Sequence, residues 1–235
     1  LRALESADLA AISTAALAAL GTLALSTLGT RQLSALSSEQ WQSLTNDQLR
    51  GLTTAQIASL ASDDLNALTT DQFAGLSTGQ IAALSTTQIS TMESADLAAL
   101  TDAQLAALST KAIVSLDTSD VSAFTSTQLG ALTTAQIASI ETADLVNIGT
   151  TALGGLSTVQ ISALSTKQLG ALASDQLQAL TTDQLAGLTT TQLASLATDD
   201  LNMLTSTQFE ALSSAQIVGL STQQFNNLDS ADLVA

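Results

Sequence analysis

An all-α solenoid is the fold this chain predicts: a superhelical coil of very short helices, one per eight-residue repeat. Three observations predict it. Every eighth residue from Leu4 to Leu228 is apolar, every eighth from Leu1 to Leu233 is apolar too, and most units carry a Ser/Thr pair followed, two positions on, by Gln or Asp. No insertion or deletion interrupts the rhythm, so the chain reads as a linear array of one small unit.

A representative unit is Leu52-Thr53-Thr54-Ala55-Gln56-Ile57-Ala58-Ser59, with Leu60 opening the next. Its two apolar positions are separated alternately by five residues and by three. Odd separations put side chains on opposite faces of a strand, so a β-solenoid exposes half of them. A helix start satisfies both gaps. With Thr53 as N-cap, Gln56 stands at N3, where its amide reaches back to the N-cap N–H while the Thr hydroxyl accepts from the N3 N–H. Leu52 and Ile57 are then N′ and N4, the two members of a hydrophobic staple, and Ile57 and Leu60 share one helical face.

One continuous helix fails. An eight-residue period drifts about 80° per unit at 3.6 residues per turn, so the apolar positions spiral instead of forming a seam, and the repeated Ser/Thr pairs oppose helix interior. The expected unit is therefore about one and a half to two turns of helix, a corner at the Ser/Thr pair, and Leu and Ile pointing inward. Small residues after the second apolar position (Gly51, Ala67, Gly75, Ala83, Gly187, Gly219) let corners approach closely. Trp41, Phe73, Phe124, Phe209 and Phe225 fall on core positions. One octad buries too little to fold alone, so stability is expected to come from stacking on neighbouring coil turns.

A longer repeat is superposed. Residues 1–99 match 137–235 at an offset of 136, deviations included: Asp63-Asp64 with Asp199-Asp200, Asn66 with Asn202, Phe73 with Phe209, Asp96 with Asp232. The expectation is a single continuous array over 1–235, cut from a longer polypeptide. Asp replaces Gln at 8, 64, 96, 120, 144, 200 and 232, at intervals that fit one side of a coil with roughly 3 to 4 octads per turn. The basic residues Arg31, Lys111 and Lys167 fit the same period.

Composition narrows function. A net charge of −16 with five basic residues opposes nucleic-acid binding. The most apolar stretch, 15–28, is too short and too interrupted to span a bilayer. His, Cys and Tyr are absent, which removes Ser-His and Cys-His nucleophile pairs and the usual zinc ligands. The expectation is that this segment is not an enzyme and needs no cofactor, calcium being the one candidate. Five pairs of acids stand three residues apart: Glu5 with Asp8, Glu93 with Asp96, Asp117 with Asp120, Glu141 with Asp144, and Asp229 with Asp232. They are expected first as helix-start residues favoured by the helix dipole. As an alternative, pairs from adjacent coil turns converge on Ca²⁺, which takes six to eight oxygens.

The motif [ST]-[ST]-x-Q-[IL]-x-x-L, as in Thr133-Thr134-Ala135-Gln136-Ile137-Ala138-Ser139-Ile140, resembles octapeptide-repeat regions of very large bacterial secreted or cell-surface proteins, adhesin-like ones among them. The resemblance spans the chain and implies an extracellular structural role: a rigid stalk, filament or surface-layer-like element whose partners are its own neighbouring repeats, with self-assembly into filaments or arrays open to it. It transfers no binding residue. The rival readings are a Ser/Thr-rich adhesive surface for glycan, ice, mineral or protein, and an intracellular scaffold.

Overall fold

The computed structural model describes residues 4–228, and among them are 28 α-helices of four to six residues and no strand. They run from α1 (Ser6–Ala10) to α28 (Thr222–Asn226), each beginning eight residues after the one before. The chain forms two compact units, 1–116 with α1 to α14 (Thr110–Val114) and 117–235 with α15 (Thr118–Ser122) to α28. The boundary between them does not coincide with residue 137, where the long sequence repeat restarts.

Each corner is two residues of extended backbone. Leu52 ends α6 (Asn46–Gly51) at φ −68°, ψ 142°, and Thr53 caps α7 (Thr54–Ala58) at φ −70°, ψ 156°. No residue among those described has a positive φ, so the turn is made without a left-handed glycine. The cap geometry is the expected one: the Gln56 N–H donates to Thr53 Oγ1 at 3.2 Å, and the Thr53 N–H donates to Gln56 Oε1 at 2.7 Å. The helices are somewhat shorter than two turns because the apolar residue that opens the next unit must already be extended to reach its N-cap.

Within each unit, helices three apart pack together. In the first, α3 (Thr22–Ser26) lies against α6, and α6 against α9 (Thr70–Gly75). In the second, α17 (Thr134–Ser139) lies against α20 (Thr158–Ala163), and α20 against α23 (Thr182–Ala186). The corner residue at the end of one helix meets the first residue of the helix three back. A Cβ on Gly187 would come within 2.9 Å of the Thr158 Cβ, and one on Gly155 would run into the Ser126 main chain. Small residues are therefore demanded there by contact between coil turns.

The N4 side chains form the innermost layer, with Leu49, Ile57, Phe73, Ile81 and Leu105 fully buried, and the N′ side chains such as Leu52 and Leu60 complete the core. Trp41, Phe73, Phe124 and Phe209 are buried in it as expected. Phe225 is not: it is 48% exposed. It belongs to α28, and no later helix among the described residues lies over it, whereas Phe73 is covered by helices that follow. Among the described residues no helix is long and apolar enough to cross a membrane.

Candidate functional site

The polar residue at N3 is the most consequential side chain of the octad. Gln40, Gln48, Gln56, Gln80 and Gln104 are each at most 5% exposed, an unusual depth for a neutral polar group. Each amide joins two helices. Its Oε1 accepts from the N-cap N–H of its own helix, and its Nε2 donates to main-chain carbonyls at the end of the helix four octads earlier. Gln80 Nε2 lies 2.7 Å from the Leu49 carbonyl and 2.9 Å from that of Leu52. Gln88 reaches Ile57 and Leu60 at 3.1 and 3.0 Å, and Gln104 reaches Phe73 and Leu76 at 2.9 and 2.8 Å.

The second unit repeats the pattern: Gln160 donates to Leu129 and Leu132, Gln192 to Ile161 and Leu164, Gln224 to Leu193 and Leu196. Helix ends leave N–H groups at one terminus and carbonyls at the other without intrahelical partners, and one amide serves both. With packing three octads apart and amide rungs to the fourth, a coil turn takes between three and four octads.

The octad spacing accounts only for the Oε1 half of this ladder. One signal of the other half is present in the sequence. A capping box takes Glu or Gln at N3, yet Glu never occupies that position here. A carboxylate cannot donate, and the rung needs a donor.

The ladder has gaps. Asp64, Asp96 and Ala112 in the first unit, and Asp120, Asp144, Ala152 and Asp200 in the second, stand where neighbouring octads place Gln. Asp64 and Asp96 are four octads apart, the step of the amide rungs. Asp120 and Asp144 are three apart, on α15 and α18 (Thr142–Leu145), which pack together. The Asp residues thus follow the coil's own periodicity within each unit.

The acid pairs are accommodated one helix at a time. The Glu5 N–H donates to Asp8 Oδ2 at 3.0 Å. Asp117 and Asp120 make a reciprocal box, with the Asp120 N–H 2.9 Å from Asp117 Oδ1 and the Asp117 N–H 3.4 Å from Asp120 Oδ2. In the pair of Glu141 and Asp144, Asp144 Oδ1 accepts from the Thr118 hydroxyl at 2.6 Å. The pair of Glu93 and Asp96 differs: Glu93 is exposed and makes no side-chain cap bond, while Asp96 is 3% exposed. Burial, with Glu93 beside it, pushes the Asp96 carboxyl up to about 6, and burial also raises Asp64.

Among the described residues, no three acidic side chains come together in a metal-ligating group. Asp8 and Asp120 accept from their own helix starts and Asp144 from Thr118, while Asp96 makes neither kind of bond, so among the described residues no two of the pairs Glu5 and Asp8, Glu93 and Asp96, Asp117 and Asp120, and Glu141 and Asp144 come together as the expected arrangement of adjacent coil turns requires. The fifth pair, Asp229 and Asp232, lies outside the described residues.

With this geometry in place the repeat can be matched to a known one. The ALTTAQ repeat matches at residues 1–38, 42–78, 74–110, 89–126, 102–134, 137–174 and 193–230, most of the chain. The chain belongs to the ALTTAQ repeat family. Residues 131–136 spell the name: Ala131 is the small corner residue, Leu132 the N′ core residue, Thr133 the N-cap, and Gln136 the amide that closes the box. Comparison with curated proteins gives no match.

Proposed function

We propose that this ALTTAQ array is a structural segment of a bacterial extracellular protein, a rigid stalk, filament or surface-layer-like element without catalytic chemistry of its own. The observation that carries the reading is the amide ladder. Most helices are tied to an earlier coil turn by the amide at N3, and the N4 residues from Leu9 to Phe209 are all buried, which supports a unit that resists bending and local opening. Such nearest-neighbour bonding is how solenoids become extended elements. The acidic exterior keeps neighbouring molecules apart in solution.

Arrays built with increasing numbers of octads and measured by small-angle scattering test the mechanical half: the longest dimension should grow in proportion to octad number, and a constant, collapsed dimension would reject it. Protease treatment of intact producing cells tests location, since a surface element is cleaved while the cell stays sealed. The rival adhesive surface rests on exposed N1 hydroxyls such as Thr54, Thr70 and Thr78. The N-cap hydroxyls are taken up by their own helices, which leaves that surface one row per octad rather than two.

A further inference from the structure

The Asp96 gap has the chemistry of a cation site. Its neighbours on either side, Gln88 and Gln104, donate to carbonyls 31 and 28 residues earlier. The same register sets Asp96 against the carbonyls of Leu65 and Leu68, at the end of α8 (Ser62–Asn66). An amide there is replaced by a carboxylate, so a negative group faces the electronegative end of a helix. The residue is 3% exposed, and its carboxylate has no hydrogen-bond donor in its own helix's capping box. Glu93, one turn back, adds a second carboxylate. A carboxylate with so little access to water and no hydrogen-bond donor is costly to keep ionised.

Length decides what fits. Asp is one methylene shorter than Gln, so its oxygen ends about 1.5 Å short of where the amide nitrogen of a rung sits. The neighbouring rungs span 2.7 to 3.1 Å. The carboxylate and carbonyl oxygens are then roughly 4 to 5 Å apart, too far for a direct O–H···O bond. It is the separation of two oxygens that share one calcium ion at about 2.3 to 2.6 Å each.

We propose that Asp96, with Glu93 and the main-chain carbonyls of Leu65 and Leu68, forms a calcium-binding site in which the metal takes the place of the missing amide rung. The ion joins α12 (Ser94–Ala99) to α8 as Gln88 joins its own helix to α7, with solvent supplying the remaining ligands. The inference rests on the ladder and is independent of where the array works.

The test is thermal melting of the full 235-residue chain, stripped of metal, at neutral pH with millimolar calcium chloride or magnesium chloride. Calcium should raise Tm by about 3 °C beyond magnesium, as binding to the folded state alone requires. Asp96→Gln restores the amide, so the variant stays folded; its calcium-dependent rise should fall. Asp102→Asn removes an exposed acid and should leave the rise intact. A wild-type chain that melts alike in the two salts overturns the proposal. So does an Asp96→Gln variant that keeps the full rise, or an equal loss in Asp102→Asn, which would make the effect general charge screening. Stabilisation on acidification with no response to calcium would assign the gap to a proton, and also overturns it.

Discussion

Octads 77–84 and 93–100 fold alike and are tied to the rest of the coil differently. In the first, Gln80 caps its own helix through Ser77 and bonds to Leu49 and Leu52. In the second, Asp96 is just as buried and makes neither connection. The helix nevertheless starts at the same place, and Ile81 and Leu97 are both in the core. The fold therefore tolerates the loss of a rung, because burial of the N4 and N′ side chains sets the coil. The rungs set how firmly one turn holds the next. A column of Asp marks where that hold depends on what else occupies the gap.

The largest effect is expected from breaking a rung. Gln80→Glu keeps an oxygen for the Ser77 N–H but puts a buried carboxylate against the Leu49 and Leu52 carbonyls, at a cost of about 3 kcal/mol. Urea denaturation measures it, and a loss below about 1 kcal/mol would make the rungs incidental to stability. The carboxyl introduced by this substitution must have a folded-state pKa above its unfolded one, so the loss should be complete at neutral pH and shrink as pH falls through the folded value.

The converse change, Asp96→Gln, should stabilise the metal-free chain by about 1.5 kcal/mol at neutral pH. In the wild type the Asp96 carboxyl is pushed up to about 6, above its ordinary value of 3.8. Ionisation therefore opposes folding, and stability should rise as pH falls through 6 toward 4. Asp96→Gln should lack that increment, so the difference between the two chains in Tm against pH is the readout. Parallel curves would mean that Asp96 ionises as freely folded as unfolded.

Caps come next. Thr53→Ala removes the acceptor of the Gln56 N–H, 3.2 Å away, and should cost about 1 kcal/mol. It leaves the rung from Gln56 to Leu25 and Leu28 in place. If Thr53→Ala cost as much as Gln80→Glu, cap and rung would be one coupled unit.

What was legible in the sequence was whatever a single octad decides. The staple of Leu52 and Ile57, the Thr53–Gln56 box and the small corner residues follow from local spacing, and all three stand in the structure. The Gln rungs were out of reach because they join residues 28 and 31 apart, a register fixed only when coil turns stack. Phe225 shows the same limit: its position in the octad is a core position, but exposure depends on whether a later helix covers it. Among the acid pairs, spacing put both acids in one first turn, as found for Asp117 and Asp120. It gave no means of telling that box from Asp96, whose surroundings come from another coil turn.

The smallest effect concerns two octads that lack a cap altogether. Ala61 and Ala197 are the N-caps of α8 and α25 (Thr198–Leu201), 136 residues apart, and neither offers a side-chain acceptor. Their backbones are nevertheless in the extended conformation of every other cap, φ −65° with ψ 153° and 154°, and both residues are exposed. A hydroxyl added there needs no rearrangement and accepts from the N–H of Asp64 or Asp200. Ala61→Ser and Ala197→Ser should each stabilise by about 0.5 kcal/mol, toward the low end for a cap because the N3 carboxylate that follows gains a second oxygen nearby. The two octads share their other unusual feature, an Asn whose side chain donates 25 residues ahead, Asn66 to Thr91 and Asn202 to Asn227. Equal gains in urea denaturation would show that octads at matching places in the long repeat are energetically interchangeable although they belong to different units. A gain at Ala61 alone would show that position within the unit outweighs the octad's own sequence.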